Sequence, residues 1–502
     1  MHTKKLLLSL LLGAVASASA QGLSLWPKYK NIAINTKASG ADVATDVAKF
    51  PVLVRLDATN AADIFADAAA GGADLRFADT AGQERPFDIE FWDATNKRAA
   101  IWVLAGSVKG NDSVATLRVY WGVDDAEAAS DPEAVFDTAN GYVAVWHMNG
   151  TTTEKSSTVH EFEATPFGGE PGVNDSAAIG KGRTFDGAQY LQAIGTASSA
   201  LNMPADGQYT LSAWVRADSV TPTGGGGHVI VNKGDHQWTL ATYSGSNQAP
   251  NRWYEITTKA NNTWNQTTTA PRDGDGYAGL PLNAHIGTWR YMTGTWDGTT
   301  PTAAVGKIFI DGNLENTTTP DISGNIDQGR SLTRDVHIGA LSNQPATSEE
   351  PTGAMERYWV GSLDEIRVSR VARDANWIRL EFETQKPGAS VVILDTTQQT
   401  VVSVAAAASR LAQSFSAKAA GQGLTFQMAG APEGKAVITL VDMWGRTVWS
   451  GAFAPGATRL AWNGTARTGA AASSGVYVAR LTLLNKQGKT VQTYDRKVPF
   501  TR

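Results

Sequence analysis

Two carboxylates early in the chain have the spacing that a hydrolase could use. The segment Asp88-Ile-Glu-Phe-Trp-Asp93 alternates acidic and apolar residues, so Asp88 and Glu90 lie on one face of a predicted strand, about 7 Å apart. Glycoside hydrolysis uses paired carboxyl groups at such separations, but the two groups must converge in one cleft. Asp93 falls on the opposite face of a regular strand. We therefore favour a half-buried strand with an exposed acidic face and predict no catalytic residue.

Aromatic and amide side chains, which are suited to binding sugars, are concentrated between His236 and Thr268. A pyranose ring offers C–H patches that stack on aromatic faces and hydroxyls that pair with amides and carboxylates. The predicted carbohydrate-binding residues are Trp238, Trp253, Glu255 and Trp264. Strand alternation directs Trp253 and Glu255 outward, and Trp264 stands in a polar run. Packing against the sheet is the alternative role of Trp253 and Trp264, since single exposed aromatic residues are common.

Metal-binding patterns are sparse in this sequence. The pair His160-Glu161 has no second histidine four residues after the first, as a zinc protease motif requires. The chain also has no cysteine, so thiolate ligands for a structural zinc ion are absent. Calcium is the better expectation, because its ligands are carboxylate and carbonyl oxygens.

Length, charge and composition limit the class of protein. A chain of 502 residues is too long for one hydrophobic core, which predicts about three domains. Its net charge of −5 comes from interspersed acidic and basic residues, with no basic stripe, so nucleic acid is not an expected partner. The 50 glycines and 16 tryptophans suit tight turns between aromatic-rich strands.

The first twenty residues have the pattern of a secretory signal peptide. Lys4 and Lys5 precede the apolar run Leu6–Val15, and Ala18-Ser-Ala20 forms a small-residue cleavage site before Gln21. The apolar run is too short to span a bilayer, and no later segment is long enough to do so. Export without any cysteine favours a bacterial protein that is secreted or held at the cell surface, near or on the outer membrane.

The central part of the chain contains phrases typical of one kind of β-sandwich. They are Phe185-Asp-Gly, Tyr209-Thr-Leu-Ser-Ala-Trp, Trp289-Arg-Tyr-Met-Thr-Gly-Thr-Trp, Lys307-Ile-Phe-Ile-Asp-Gly and Trp359-Val-Gly-Ser-Leu-Asp-Glu. Together they resemble the laminin-G-like, concanavalin A-type jelly roll, which implies an extracellular ligand-binding domain. The resemblance also implies a calcium ion near the Phe-Asp-Gly turn and the penultimate strand, where Asp186 and Asp364 stand.

The same architecture carries laminarinase-type glycosidases, whose catalytic strand bears Glu, Asp and Glu. In this sequence Asp88, Glu90 and Asp93 show exchanged residue types, and they precede the jelly roll. Asp364 and Glu365 are adjacent, so regular alternation directs their carboxylates to opposite faces of the strand. We therefore predict a domain that binds a ligand without catalysing a reaction.

The flanking domains also alternate in period two, which predicts antiparallel β-sandwiches. Residues 26–123 include Phe50-Pro-Val-Leu-Val-Arg-Leu, Phe87-Asp-Ile-Glu-Phe-Trp and Arg118-Val-Tyr-Trp-Gly, and they resemble the bacterial domain of unknown function 2341. Residues 421–502 include Trp462-Asn-Gly and Ser474-Gly-Val-Tyr, and they resemble the immunoglobulin-like sorting domains of type IX secretion. The Ala-, Ser- and Gln-rich stretch before this domain predicts a linker.

These patterns predict an all-β chain with five parts. They are a signal peptide (1–20), an N-terminal β-sandwich (21–140), the jelly roll (141–390), a linker (391–420) and a small C-terminal β-sandwich (421–502). The expected function is that of an exported, non-catalytic bacterial protein whose jelly roll binds a polysaccharide or surface glycan, with calcium as cofactor. A cell-surface adhesion or envelope scaffold protein that binds another protein is the alternative, since fold alone does not set function. Glycoside hydrolysis is the third possibility.

Overall fold

The structure is a computed structural model that divides into two compact units, Tyr29–Gln399 and Met1–Lys28 together with Thr400–Arg502. The described residues are 23, 26–150, 152–196, 199–219, 227–234, 237–243, 253–260, 263–268, 285–300, 304–318, 326, 328, 332–342, 355–400, 415–428, 435–484 and 490–502. The predicted signal peptide lies outside them.

The N-terminal sandwich follows the predicted alternation of buried and exposed residues. Its strands are β1 (Lys28–Ile34), β2 (Val47–Leu56), β3 (Arg76–Asp79), β4 (Glu84–Arg85), β5 (Phe87–Asp93), β6 (Arg98–Val108) and β7 (Ala115–Trp121), with helices α1 (Ala62–Asp67) and α2 (Pro132–Val135). One sheet has the order β2-β6-β5, and the other contains β1-β7-β3-β4. A late strand, Val392–Leu394, pairs with β1, so the predicted linker begins with part of this sandwich.

The jelly roll consists mainly of two eight-stranded antiparallel sheets. Its early strands are β8 (Tyr142–Trp146), β9 (Glu154–Lys155), β10 (Glu163–Phe167), β11 (Gly172–Asn174), β12 (Gly182–Asp186), β13 (Tyr190–Ala193), β14 (Gln208–Ala217), β15 (Val229–Lys233), β16 (Trp238–Tyr243), β17 (Trp253–Ala260) and β18 (Thr263–Thr268). The later strands are β19 (Arg290–Asp297), β20 (Val305–Ile310), β21 (Asn313–Thr318), β22 (Val336–Ile338), β23 (Leu341–Ser342), β24 (Met355–Glu356) and β25 (Val360–Ser369). They are followed by helix α3 (Ala375–Gln385) and by β26 (Val392–Leu394), the late strand described above.

We call the two sheets front and back. The front sheet has the order β18-β17-β16-β15-β22-β13-β10-β9, and the back sheet has the order β11-β12-β25-β14-β19-β20-β21, with β8 added beside β25. Their facing surfaces enclose a core that includes Trp146, Phe185, Tyr209, Trp238 and Trp296. Burial of such large apolar side chains is the main stabilising term of a sandwich.

Close packing requires the glycine in the Trp359-Val-Gly-Ser-Leu-Asp-Glu segment. Gly361 begins the buried part of β25, where it pairs with Phe185. Its φ is 132°, and a Cβ added there would lie 2.1 Å from the carbonyl oxygen of Arg216. Any larger residue would therefore push two back-sheet strands apart.

The N-terminal sandwich and the jelly roll share a hydrophobic core. Trp377 of α3 packs edge-on against Phe50 of β2, with ring centroids 5.1 Å apart. Arg55 of β2 donates hydrogen bonds to the carbonyl oxygens of Thr384 (3.1 Å) and Ala178 (3.0 Å). Thr384 lies in the last turn of α3, whose final carbonyls have no partner within the helix. The two sequence-defined domains are thus packed into one unit.

The C-terminal unit contains a separate seven-stranded sandwich. Its strands are β28 (Ser416–Ala420), β29 (Gly423–Gln427), β30 (Lys435–Val441), β31 (Thr447–Ala452), β32 (Arg459–Trp462), β33 (Gly475–Leu484) and β34 (Thr490–Phe500). The two-residue β27 (Gln399–Thr400) belongs instead to the sheet that contains β1. The sheet orders are β28-β29-β32 and β31-β30-β33-β34. Residues 416–420, predicted as linker, form a strand, and residues 401–414 lie outside the described residues.

Candidate functional site

A row of polar residues crosses one face of the front sheet. Strand pairing places Thr165 opposite Gln192, Gln192 opposite His337, His337 opposite Asn232, and Asn232 opposite Thr239. Directly paired residues share a sheet face, so these side chains form one line across five strands. Their neighbours along the strands, such as Leu191 and Ile338, lie in the core. The row is therefore the face of the front sheet that points away from the core.

The centre of this polar row is buried, whereas its edge is exposed. Asn232 is 0% exposed and His337 is 3% exposed. Among the described residues, neither ring nitrogen of His337 has a hydrogen-bond partner. The side-chain oxygen of Asn232 has none there either. Burial lowers the pKa of His337 to about 4, so its imidazole is neutral at physiological pH. Thr165 is exposed and Gln192 is half-buried.

An aromatic group borders the exposed edge of the row. Phe167 and Tyr190 are directly paired on β10 and β13, and their rings stack with centroids 5.4 Å apart and planes 11° apart. The Tyr190 ring also lies 5.7 Å from His337 and 6.4 Å from Tyr358. Phe167 remains 43% exposed, so one face of its ring is open to solvent. We call Phe167, Tyr190 and Tyr358 the aromatic platform.

Hydrogen-bonding groups stand beside the aromatic platform. Gln192 donates through Nε2 to Asp335, whose other carboxylate oxygen accepts from the backbone N–H of Gly195 at 2.7 Å. Asp335 is half-buried, like Gln192. Apolar rings next to an amide and a carboxylate form the combination that a pyranose ring requires.

The predicted sugar-binding residues differ in where the structure places them. Trp238 lies in the core, 1% exposed, and its indole N–H donates to the carbonyl oxygen of Leu201. This contradicts its predicted contact with sugar, and the physical reason is that Trp238 shares the inward face of β16 with Leu240. Trp253, Glu255 and Trp264 lie in β17 and β18, but their side chains lie outside the described residues.

The backbone register nevertheless relates these three positions to the polar row. Position 239 of the row pairs with position 257, and position 257 pairs with position 266. Positions 253 and 255 precede 257 by even steps, and position 264 precedes 266 by two. In a regular strand they therefore belong to the same sheet face as the row. Their role in binding stays a prediction.

A second polar site lies where the N-terminal sandwich meets the jelly roll. His147, directly after β8, faces carboxylates from both domains. Its Nδ1 lies 2.5 Å from Glu365 Oε1 and 3.7 Å from Glu90 Oε2, and its Nε2 lies 3.6 Å from Asp88 Oδ2. Asp88 and Glu90 both face His147, but a register shift between β5 and β6 falls at Glu90, so regular alternation does not account for the face that they share. That face is buried rather than exposed, because the jelly roll covers it.

A β-bulge brings Asp364 and Glu365 to the same buried region. The pairing of β25 with β14 shifts register near Ser212, and Glu365 takes a left-handed φ of 51°. The prediction that the two carboxylates point to opposite faces is therefore wrong, because a bulge breaks the alternation of a regular strand. Asp364 accepts a hydrogen bond from the backbone N–H of Ile179 at 2.8 Å.

Arg367 compensates part of this negative charge. It is 2% exposed, and its guanidinium donates to Glu365 Oε2 at 2.6 Å and to Glu381 Oε1 at 2.9 Å. The guanidinium also lies 4.3 Å from the ring centroid of Trp102, a cation–π distance. We call Asp88, Glu90, His147, Asp364, Glu365, Arg367 and Glu381 the buried charge cluster.

Burial and mutual repulsion shift the pKa values in the cluster. Burial, together with the charge of Glu365, raises the pKa of Glu90 to about 8. The same two causes raise the pKa of Asp364 well above its usual range. Burial opposes the charged form of His147, but the carboxylates of Glu365 and Glu90 outweigh it and raise the pKa of His147 well above its ordinary value.

The chemical capability of the cluster is limited by its burial. Asp88 is 7% exposed, and the side chains of Glu90 and Glu365 are 0% exposed. A glycosidase must place its carboxyls on either side of a bound sugar ring, in an open cleft. These carboxylates are enclosed by protein, so the arrangement suits holding a cation better than attacking a polymer. Asp93 instead accepts hydrogen bonds from Asn96 in a turn.

The two aspartates predicted to bind calcium do not form a site. Asp186 is exposed at the end of β12 and accepts a hydrogen bond from the backbone N–H of Ala188. It pairs with Val360, four residues before Asp364 on β25. Four residues of a strand span about 13 Å, too far for a shared ion. The residues present therefore do not fit calcium at this place.

Sequence patterns could have indicated the polar row but not the charge cluster. Tyr190-Leu-Gln-Ala and Val336-His-Ile alternate in period two, which marks Tyr190, Gln192 and His337 as residues on the face opposite the apolar ones. His147 has no such local signal, because its partner Glu365 is 218 residues away in sequence.

Family models match two of the three resemblances seen in the sequence, those of the central domain and the N-terminal domain. Residues 185–379 match the family model described as the concanavalin A-like lectin/glucanases superfamily, and residues 71–149 match the Domain of unknown function (DUF2341). The chain thus carries a DUF2341 domain followed by a concanavalin A-like jelly roll, a fold that suggests carbohydrate or protein binding. No curated protein matches the chain.

Several solved structures resemble the chain at low sequence identity. A native heptameric SAP-like pentraxin from Limulus polyphemus is 14% identical, with 43% of this chain and 92% of that one covered and a TM-score of 0.27. The binding domain of botulinum neurotoxin serotype D/C is 12% identical (72% and 74% covered, TM-score 0.35). The botulinum neurotoxin serotype D ligand binding domain in complex with N-acetylneuraminic acid is 10% identical (71% and 73% covered, TM-score 0.32). Similarities this low do not indicate which ligand the chain binds.

None of the helices among the described residues combines the length and the apolar character that crossing a bilayer requires.

Proposed function

We propose that this chain is an exported binding protein whose jelly roll binds a polysaccharide on the outward face of the front sheet. The observation that carries the proposal is the aromatic platform beside the polar row. Phe167 offers an exposed ring that is stacked on Tyr190, and Gln192 and Asp335 lie within the same surface. A sugar ring would stack on the platform, and its hydroxyls would pair with the amide and the carboxylate.

The electrostatics of this surface favour a neutral sugar. Asp335 is the carboxylate beside the platform, and His337 is neutral because burial lowers its pKa. The cations near this position, Lys233 and Arg334, are buried, so an anionic glycan would meet the charge of Asp335 without an accessible cation among the described residues. The described part of the site therefore suits neutral polymers such as cellulose, xylan or mannan.

The aromatic platform can be tested by retention on insoluble polymers. The full chain should be retained on at least one of cellulose, xylan, mannan and peptidoglycan. Phe167→Ala combined with Tyr190→Ala should weaken that retention about tenfold to a hundredfold, because each ring contributes roughly 1 kcal/mol of stacking. The measurement is a depletion isotherm, in which unbound protein is quantified against increasing polymer.

Trp444→Ala is the matched control for this experiment. Trp444 is 80% exposed in the turn between β30 and β31, outside the jelly roll, so its loss should leave retention unchanged. Equal retention of the double variant and the native chain would remove the aromatic platform from the proposal. Failure of the native chain to bind any polymer would favour a protein partner instead. Trp253→Ala with Trp264→Ala tests the remaining predicted positions on the same sheet face.

Export is the second element of the proposal, and the sequence supports it. Residues 1–20 have the pattern of a signal peptide, and residues 421–502 resemble sorting domains of type IX secretion. Deletion of residues 421–502 should trap the protein in the periplasm of its native cell, as detected by immunoblotting of fractions. The full-length chain at equal expression is the control. Normal release of the truncated chain would contradict a sorting role for this domain.

A further inference from the structure

We propose that Glu90, His147 and Glu365 bind a divalent transition-metal ion, of which Zn²⁺ is the best fit, between the N-terminal sandwich and the jelly roll. One donor atom from each residue lies within 4.8 Å of the other two. His147 Nδ1 faces both carboxylates, with Glu365 Oε1 at 2.5 Å and Glu90 Oε2 at 3.7 Å. An ion in this position would replace the proton that Nδ1 otherwise shares with Glu365.

A buried polar atom without a partner lies in the same region. Glu90 Oε1 is buried and has no hydrogen-bond partner in the part of the chain that the structure describes. The side chain of Glu90 is 0% exposed and that of His147 is 6% exposed. Buried polar groups in native proteins nearly always have a partner, so an orphaned carboxylate oxygen beside an imidazole indicates a missing ligand.

The charges around the three donor atoms leave a deficit of positive charge. The buried carboxylates are those of Asp88, Glu90, Asp364, Glu365 and Glu381. The cationic or potentially cationic groups near them, among the described residues, are those of Arg55, Arg367 and His147. A divalent cation would reduce this deficit without requiring carboxylates to be protonated.

Neighbouring groups are placed to orient each ligand. Trp102 donates its indole N–H to Glu90 Oε2 at 2.7 Å, and Arg367 donates to Glu365 Oε2 at 2.6 Å, so both carboxylates are held in place beside His147. With the ion on Nδ1, the Nε2–H of His147 points toward Asp88 Oδ2, 3.6 Å away. Histidine ligands commonly donate their second ring N–H to a carboxylate in this way.

The donor set also selects the class of metal. One imidazole nitrogen with two carboxylate oxygens suits zinc or manganese, whereas calcium takes oxygen ligands only. The site is enclosed by protein, and its ligands come from β5 of the N-terminal sandwich and from β25 and the end of β8 of the jelly roll. The ion would therefore stabilise the contact between these two domains rather than take part in catalysis. The sequence contains no cysteine and therefore indicated no structural zinc site. A site formed by distant carboxylates and one histidine has no local sequence motif that could have indicated it.

Zinc content and thermal stability together test this proposal. The full chain is stripped with chelator, incubated with ZnCl₂, passed through gel filtration and measured by inductively coupled plasma mass spectrometry. The native chain should retain about one zinc per molecule, and its Tm should rise with zinc and fall with chelator. Glu90→Gln, and independently His147→Gln, should lose the bound zinc and the response of Tm to zinc.

Glu383→Gln is the matched control, because Glu383 is a buried carboxylate on α3 whose partners are Arg379 and Lys386, outside the cluster. It should retain zinc. Circular dichroism verifies that each variant is folded before its zinc content is compared. A native chain that binds no zinc and whose Tm is indifferent to zinc and chelator would overturn the proposal. Full retention of zinc by folded Glu90→Gln would overturn it as well.

Discussion

Replacing Arg367 by Met should lower the free energy of unfolding by about 3–5 kcal/mol, the loss expected when one partner of a buried ion pair is removed. Arg367 is 2% exposed and donates hydrogen bonds to both Glu365 and Glu381. Met fills similar space but leaves the buried carboxylate of Glu381 without its cation and leaves Glu365 with His147 alone. Urea-induced unfolding, followed by tryptophan fluorescence, measures the difference from the native chain.

Arg216→Met is the control for this prediction. Arg216 lies on β14 of the same domain and pairs with Asp218 at 3.3 Å, but both side chains are more than a third exposed. Its replacement should cost less than about 1 kcal/mol, because solvent screens exposed ion pairs. If Arg367→Met were as stable as Arg216→Met, the buried charge cluster would not depend on Arg367 for its stability.

The fold of the central domain could be predicted from the sequence because its signals are local. Alternation in period two marks the strands, and the Phe-Asp-Gly phrase pairs with the strand that begins at Val360. Helix α3 likewise has a local signal, because it begins after Asp374, whose side chain accepts a hydrogen bond from the Trp377 backbone N–H. Each of these features depends on neighbours within a few residues or on a repeated strand pattern.

The buried charge cluster could not be predicted, because two of its determinants are not local. Glu90 and Asp88 become buried only when the jelly roll covers β5, and no pattern in β5 itself reports that contact. Glu365 joins Asp364 only through a bulge with a left-handed φ of 51°, which regular alternation cannot anticipate. A non-glycine residue in that conformation is energetically unfavourable, so its surroundings must hold it there.

Trp238 illustrates a different limit of sequence patterns. Alternation places Trp238 and Leu240 on one face of β16, and the structure agrees. Alternation does not say which face is the core, and tryptophan suits both a core and a sugar-binding surface. The large apolar neighbour Leu240 determines the outcome, because burying both side chains removes more apolar area from water than burying one.

His337 makes the stability of the jelly roll depend on pH in a defined direction. Burial lowers its folded-state pKa to about 4, against an ordinary value of 6.5. The unfolded chain therefore binds a proton at a higher pH than the folded chain does, and between pH 6.5 and 4 it binds more protons. Stability falls as the pH decreases through this window, and the contribution is lost fully below about pH 4.

Replacing His337 by Gln should remove this pH dependence. The difference between the two pKa values corresponds to about 3 kcal/mol. Between pH 6.5 and 4 the native chain should therefore lose about 3 kcal/mol more stability than His337→Gln does. Urea unfolding of both proteins across that pH range gives the slope of the free energy of unfolding against pH for each protein.

The difference between the native and variant chains gives the contribution of His337 to the pH dependence of the free energy of unfolding. The carboxylates and the other histidines titrate in both proteins, so their contributions cancel in this difference. His160→Gln is the matched control, since His160 is an exposed histidine of the same domain. Its slope should follow that of the native chain. Parallel slopes for the native chain and His337→Gln would mean that the imidazole gains a proton in the folded state as readily as in the unfolded one. The polar row would then be open to water at its centre, and a sugar hydroxyl could reach Asn232 and His337 directly.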